Sequence, residues 1–332
     1  MSIKILTTRS LLQGDVNYIK EGLSRIVGDS FEIINPETYD EEGILKLAPQ
    51  ADVLLGPFVT EKILENSPNL RLIQVPWTGM DTFNFSAMKN SDVPVCNSHS
   101  NAIVVAEIGF GIVMDLLKKI SYHDRKMRMG NWNRDQQPLD LKSKMLSQQK
   151  VCIFGYGNIG SKLGRMFSSF GAEVIAVTAD TSTVADVKCY SPENAAEALA
   201  VSNVVVITVP LTEGTKDMVN SEFIASMKDG SYLVTLSRAA VVNEDALYEA
   251  LMSGKIAGYG SDVWWRAPKR GESESKVSDK YDFEKLSQVV LSPHRAGFSE
   301  NSLPHLDDVI VNLAKFIKGE PLINIVNVKE EY

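Results

Sequence analysis

A glycine pattern, one arginine and one histidine carry most of the chemistry that this sequence suggests. In Val151–Gly160, VCIFGYGNIG, Gly155, Gly157 and Gly160 occupy the positions of a G-x-G-x-x-G turn. The apolar run Val151–Phe154 precedes it, and Ser161–Phe170 follows with Leu163, Met166, Phe167 and Phe170 at helical spacing. Strand, turn and helix therefore come in the order that a dinucleotide turn requires. Gly155 permits the tight turn, Gly157 lets a pyrophosphate approach bare backbone, Gly160 allows close helix–strand contact, and the helix N-terminus favours an anion. A glycine turn that serves only the fold is the competing reading. Arg238, in VTLSRAAVV, follows a strand-like run; its guanidinium fork suits a planar carboxylate, and a surface salt bridge is the alternative. His294 follows the run Val289–Leu291 and Pro293, a residue type suited either to proton transfer near neutral pH or to a structural hydrogen bond.

These residues need a scaffold, and the hydrophobic periodicity supplies one. Ile3–Thr7, Phe31–Ile34, Val53–Leu55, Leu72–Val75 and a segment near Val93–Cys96 read as strands, alternating with helices over Tyr18–Ile26, Glu41–Ala48 and Glu61–Asn66. Such alternation predicts a parallel sheet covered by helices. Asn101 to about Ile120 reads as a long, mostly buried helix, followed by a polar arm, Ser121–Leu146, with Gly130 and Trp132. Trp132 suits either a subunit contact or packing on its own domain. A second α/β series then begins at the glycine turn. Its strands are Val174–Val177, Val204–Val209, Tyr232–Thr235, Gly258–Val263 and Val289–Leu291, and its helices Pro192–Leu199, Ser221–Met227 and Glu244–Ser253, enough for a doubly wound sheet. Arg266–Lys280, charged and carrying Pro268 and Gly271, reads as an exposed loop. A last helix, about Leu306–Lys318, stops at Gly319 and Pro321 and is expected to return to the first domain.

Composition narrows the function classes. A chain of 332 residues is long enough for two domains with cores of their own. The 34 Lys and Arg against 42 Asp and Glu leave a net charge of −8, which disfavours nucleic acid and anionic membranes as partners. Cys96, Cys152 and Cys189 are widely spaced with no C-x-x-C pair, so reduced core thiols in a cytoplasmic setting are expected, with no metal site. The opening MSIKILTTRSLL lacks a signal-peptide pattern, and the apolar stretch Ala102–Leu117 is interrupted by Glu107 and Asp115, which speaks against a membrane span.

The motifs LRLIQVPWTGMD (Leu70–Asp81), NAIVVAE (Asn101–Glu107), GYGNIG (Gly155–Gly160), VPLTEGT (Val209–Thr215), MKDGSYLVTLSRAAVVNEDAL (Met227–Leu247), GKIAGYGSDVW (Gly254–Trp264) and LSPHRAG (Leu291–Gly297) occur in one order over Ile3–Asn324. In these the sequence resembles the D-isomer-specific 2-hydroxyacid dehydrogenases. The resemblance implies an α/β protein of two Rossmann-like domains, each with a doubly wound parallel sheet, with an interdomain cleft and a homodimer built through the cofactor domain. It puts a discontinuous substrate domain at 1–100 plus 298–332 and a dinucleotide-binding domain at 101–297. The implied reaction moves a hydride between NAD(P)H and a small 2-oxo or 2-hydroxy acid of D configuration. Arg238 would hold the carboxylate and polarise the carbonyl, and His294 would handle the proton. Trp77, Thr78, Gly79 and Asn101 would meet the substrate, although Asn101 also suits a helix cap and Trp77, Trp264 and Trp265 also suit a core. Cofactor contacts would come from Val105, Gly155, Tyr156, Gly157, Asn158, Ile159, Gly160, Thr178, Ala179, Asp180, Thr208, Val209, Pro210, Thr215, Leu236, Ser237, Asp262, Ala296 and Gly297. Asp262 would hold the nicotinamide amide, with a buried capping aspartate as the alternative. His99, His123 and His305 match no family role and read as structural or surface residues.

Two departures stand out against the family pattern. The acid that orients the histidine falls on Ala267, which neither hydrogen-bonds nor holds charge. Glu272, Glu274, Asp279, Asp282 and Glu284 follow, and read as solvated loop charge. Formate dehydrogenases of the same superfamily also lack that acid, so hydride transfer without proton abstraction is one alternative, and a nonenzymatic NAD(H)-sensing protein another. The acid that binds the adenosine ribose falls on Thr178, with Ala179 and Asp180 next. Its loss removes a repulsion against a 2′-phosphate, yet no arginine follows to bind one. The cofactor expected is NAD(H) or NADP(H), with NAD(H) preferred.

Overall fold

The computed structural model describes residues 2–132, 142–268, 272–300 and 302–331. The chain divides into two compact units, Met1–Asn101 with Phe298–Tyr332, and Ala102–Gly297. In the first unit β1 (Ile3–Thr7), β2 (Phe31–Ile34), β3 (Val53–Leu55), β4 (Leu72–Gln74) and β5 (Val95–Cys96) form a parallel sheet in the order β2-β1-β3-β4-β5. Both faces are buried. Ile5, Val53, Leu55 and Leu72 point into one cluster and Leu6, Leu54 and Ile73 into the other, which explains why these strands read as continuous apolar runs. The helices between them are α1 (Gln13–Val27), α2 (Glu41–Leu45) and α3 (Glu61–Glu65). Helix α1 buries Val16, Ile19 and Leu23, spaced on one face. Helices α2 and α3 start at Asp40 and Thr60, whose side chains accept from the Gly43 and Ile63 amides.

The second unit opens with α4 (Ala102–Lys118) and, after Lys119 in the left-handed region (φ 55°), α5 (Ile120–Arg128). Asp115 fastens this break by accepting from the backbone and hydroxyl of Ser121. The first part of the expected polar arm is thus helical; α5 buries no residue, so it leaves no apolar period to read. Positions 133–141 of that arm lie outside the described residues, as does Gly271 of the Arg266–Lys280 loop.

Then follow β6 (Lys150–Phe154), α6 (Asn158–Ser169), β7 (Glu173–Val177), β8 (Lys188–Tyr190), α7 (Ala195–Val201), β9 (Val204–Ile207), α8 (Ser221–Ser226), β10 (Ser231–Thr235), α9 (Glu244–Ser253), β11 (Ile256–Ser261) and β12 (Val289–Leu291). The strands make one parallel sheet in the order β12-β11-β10-β9-β6-β7-β8. Only β8, a short edge strand of mixed polarity, escaped the sequence reading. Alternation again splits the core: Cys152, Phe154, Val205, Ile207 and Leu233 face one helix layer, Val151, Ile153, Val204, Val206 and Val234 the other. Each such burial is worth about 1.5–3 kcal/mol. The sheet changes direction at β6, which has β7 on one side and β9 on the other. In open parallel sheets ligands settle outside the strand carboxyl ends at such a reversal.

From Phe298 the chain belongs to the first unit again, where α10 (Asp307–Lys318) packs against α1 and the Tyr18 hydroxyl donates to Asp307 at 2.7 Å. Among the described residues no helix is long and apolar enough to cross a membrane, and no His, Cys, Asp and Glu cluster suits a metal. Cys96 and Cys152 are buried thiols, pushed up to about 12 by desolvation.

Candidate active site

The three glycines of the β6–α6 turn are glycine for different reasons. Gly155 has φ +86°, and a Cβ there would fall 2.9 Å from the Val209 backbone nitrogen. At Gly160 a Cβ would lie 2.1 Å from the Gly155 carbonyl oxygen, so α6 starts against the turn itself. At Gly157 an added Cβ meets nothing within 4 Å. Packing within the protein explains two of the glycines and leaves Gly157 as a bare backbone position facing open space. Helix α6 has no side-chain cap and no acid in its first turn, so the leading amides of Asn158, Ile159 and Gly160 remain as donors with the positive end of the helix dipole behind them. Thr208 steadies the turn, its hydroxyl bonding the Phe154 and Gly155 carbonyls at 3.0 and 2.6 Å. Beside it, Thr215 donates to the Pro210 carbonyl and accepts from the Thr212 amide, fixing the loop after Val209. Tyr156 turns back over α6: a Cβ on Gly164 would sit 2.2 Å from its hydroxyl, which reaches Asp186 at 3.4 Å. This arrangement fits a dinucleotide phosphate, because it offers uncapped donors, a favourable dipole and space where a side chain is missing.

Further along the same edge, Leu236, Ser237 and Arg238 follow β10. Leu236 is buried where Gly109 of α4 lets it approach. The Ser237 hydroxyl is buried with no partner among the described residues, and Arg238, half-buried, donates to the Ser237 carbonyl at 2.9 Å. Past β12, the chain makes a tight turn in which His294 takes φ +52°, unusual for a residue with a side chain. Asp262, beyond β11 and 3% exposed, holds that turn. Its carboxylate accepts from the Ser292 hydroxyl, from Arg295 N at 3.0 Å and from Ala296 N at 2.9 Å. Asp262 therefore caps this turn from a buried position. A carboxylate has about four acceptor positions, so one remains for an outside donor. His294 itself is exposed and makes no hydrogen bond or ion pair among the described residues. Trp264 and Trp265 pack on the core, their indole N–H groups donating to the Ser292 and Val242 carbonyls.

The first unit brings together its own cluster. Thr78 donates from its hydroxyl to the Ser98 carbonyl at 2.7 Å and to Asn101 Oδ1 at 3.3 Å, while Asn97 donates to the Thr78 carbonyl and Ser98 N to the Trp77 carbonyl. The loop 77–79 is strapped to 97–101, and the Thr78 and Gly79 amides donate to no partner among the described residues. Trp77 is half-buried against its own core, and the Arg9 guanidinium lies 4.8 Å from its ring centroid. Arg9 went unnoticed in the sequence, although its place two residues after a predicted strand was the available signal.

The model of the D-isomer specific 2-hydroxyacid dehydrogenase NAD-binding domain matches residues 110–296, more than half of the chain and nearly all of the second unit. This chain belongs to that family. It is similar to a hydroxypyruvate reductase of Thermotoga maritima, 29% identical and covering 79% of this chain and 83% of that one. A hydroxypyruvate reductase of Blautia hydrogenotrophica is 27% identical over 98% of this chain and all of its own. Among solved structures, D-lactate dehydrogenase of Aquifex aeolicus complexed with NAD and lactic acid superposes with a TM-score of 0.74, at 26% identity and 96% coverage of both chains. As a family member the protein is an NAD(P)-dependent oxidoreductase of 2-hydroxy acids.

Within this dehydrogenase the two departures acquire a physical setting. Ala267 is exposed, and the acids that follow are engaged elsewhere or face solvent. Asp279 pairs with Arg266, and Asp282, drawn down to about 2 by hydrogen bonds from Lys285 and Lys276, pairs with both lysines. At the end of β7, Thr178 donates its amide to the Tyr190 carbonyl, and Ala179 is exposed. Asp180 accepts from the Ser182 hydroxyl and amide, which holds its carboxyl below the usual range and folds it into its own turn. Val105 and Ala296 are buried in the cluster under α4, and Gly297 closes the unit.

Proposed function

We propose that this dehydrogenase reduces a small 2-oxo acid to its D-2-hydroxy acid and runs the reverse oxidation. One observation carries the reading: in a single parallel sheet, the strand ends of β6, β10 and β12 put the glycine turn, Arg238 and His294 along one edge. Arg238 orients the substrate carboxylate and draws electron density from the 2-oxo carbonyl. His294 gives a proton to the oxygen that becomes the hydroxyl, or takes it away in oxidation. With Ala267 in place of an acid, the imidazole is positioned through its backbone, by the Asp262 cap on the turn. In the first unit the Thr78 and Gly79 amides, which donate to no partner among the described residues, suit a substrate carboxylate, with Asn101 beside them and Trp77 as a wall.

The nicotinamide, when bound, supplies or accepts the hydride at C2 of the acid. Gly155–Gly160 and the α6 amides hold the pyrophosphate, with Tyr156 shaping the turn. Thr208–Pro210 and Thr215 line the adjoining loop, Val105, Leu236, Ser237, Ala296 and Gly297 the nicotinamide side, and the remaining acceptor position of Asp262 takes its amide. At the ribose, Thr178, Ala179 and Asp180 present one carboxylate and no arginine, which supports NAD(H) over NADP(H). Trp132, 72% exposed, with Met129 at 70% and Ile120 at 58%, gives the second unit an uncovered apolar surface that supports a homodimer through it. A cytoplasmic site accords with the free thiols.

The test is a panel of small 2-oxo acids with NADH and with NADPH, followed by nicotinamide absorbance. Turnover of at least one acid is expected, faster with NADH. Tight cofactor binding without turnover of any acid would make the protein a cofactor sensor and sink the enzymatic reading.

A further inference from the structure

Arg9 stands just beyond β1, next to the point where the order β2-β1-β3-β4-β5 reverses between β1 and β3. That is where an open parallel sheet presents ligands to its strand ends. The side chain is exposed and has no ion pair or hydrogen bond among the described residues; its recorded contact is the Trp77 ring at 4.8 Å. An exposed guanidinium normally samples many rotamers. Stacking on a half-buried indole fixes its plane and desolvates one face, while its N–H edges stay available for a planar or tetrahedral oxyanion. The preceding residue, Thr8, is buried with a hydroxyl that has no partner among the described residues, and at Gly56 (φ +136°) a Cβ would lie 2.6 Å from that oxygen. The loops after β1 and β3 thus approach each other backbone to side chain, with Arg9 following directly on Thr8.

Charge decides what such a group is for. The chain carries a net −8, yet among the described residues this guanidinium forms no ion pair with a carboxylate. In the first unit the Thr78 and Gly79 amides already suit the one carboxylate common to every 2-oxo acid. We propose that Arg9 is a receptor for a second anionic group, so that the preferred substrate is a 2-oxo acid with a carboxylate or phosphate at its far end. This inference rests on the 2-oxo acid reading of the same site. A charge-assisted bidentate contact gives about a hundredfold discrimination against an analogue that lacks the charge.

The experiment compares kcat/KM for matched pairs: 2-oxobutanoate against oxaloacetate, and hydroxypyruvate against its phosphate ester, in the wild type, Arg9→Gln and Arg9→Lys. The wild type is expected to prefer one dianion, the pair showing which oxyanion it reads. Arg9→Gln should reduce that preference about a hundredfold, mainly through KM, and Arg9→Lys should restore part of it. A preference unaltered by Arg9→Gln, or no preference in the wild type, overturns the proposal while leaving the dehydrogenase reading intact. Should no 2-oxo acid be turned over, that reading fails separately. Calorimetric titration of the same acids then decides: dianion binding lost in Arg9→Gln upholds the receptor, and binding equal in both proteins, or absent from both, overturns it.

Discussion

Each unit begins its sheet with a strand that runs into a helix, β1 into α1 and β6 into α6, and the two crossings differ where chemistry is concerned. The α6 crossing is a glycine turn with no side-chain cap and no acid in the first helical turn. The α1 crossing carries Arg9 and Leu12 and places Asp15 in the first turn, its carboxylate accepting from the Leu12 amide. Asp15 both occupies a donor and repels an anion from the helix end. Architecture is shared; the short connection determines whether a helix N-terminus is open to phosphate. The first unit instead offers side chains and loop amides around Trp77, suited to a small acid.

If that division holds, the largest loss of activity comes from the second unit's edge without loss of cofactor. Arg238→Ala is expected to lower kcat/KM about a thousandfold with NADH affinity retained. Arg238→Lys should recover only part, since an ammonium cannot bind a carboxylate through a planar fork. Unchanged kinetics would take Arg238 out of the site.

Asp262 sharpens the comparison, because it acts on His294 through backbone. Asp262→Asn replaces one acceptor oxygen by a donor opposite Ser292, Arg295 or Ala296, leaving a buried donor unpaired. We expect kcat to fall about a hundredfold, more than NADH affinity does, and the acid–base limb of the pH–rate profile to move. If only NADH affinity changes, Asp262 is a cofactor ligand alone and does not position His294.

The glycines separate fold from ligand within one turn. Gly155→Ala places a Cβ against backbone at positive φ and should cost about 1–3 kcal/mol of stability. Gly157→Ala meets no protein atom, so its melting temperature should match the wild type while NADH binds about tenfold more weakly. Equal cofactor affinity in Gly157→Ala and the wild type would show that the open space at that position is not the phosphate's.

How much of this is legible in the sequence follows from the range of the interactions. Strands such as Val53–Leu55 and Val289–Leu291 and helix α9, with Asn243 as cap and Gly254 in the left-handed region, carry their signals locally, and the structure reproduces those limits. Both parallel sheets were expected on the same grounds. Helix α5 and strand β8 were missed because neither buries a periodic face. The turn around Gly155 was visible as a pattern, but the close approach to Gly155 comes from Val209, which is distant in sequence. Likewise the grip of Asp262 on residues about thirty positions later, and the stacking of Arg9 on Trp77, are long-range contacts that no spacing rule reports.

The smallest effect tests whether the two units respond separately to pH. In the first unit, the Ser98 hydroxyl donates to the His305 carbonyl and the His99 amide to Asp308, tying the strand-end segment to the start of α10. Burial lowers the pKa of both imidazoles from 6.5, desolvation outweighing Asp308 at His99 and Asp15 and Asp307 at His305. A histidine that is harder to protonate when folded binds more protons in the unfolded chain, so stability is complete above about pH 6.5 and declines as pH falls towards the lowered values. Amide hydrogen exchange should show protection in β1, α1 and α10 weakening over that window before the strands around β6 respond. Replacing His99 and His305 together by Gln should flatten the decline, since glutamine does not titrate. Loss of protection shared equally by both sheets, or a slope unchanged in the double variant, would place the pH sensitivity outside these histidines.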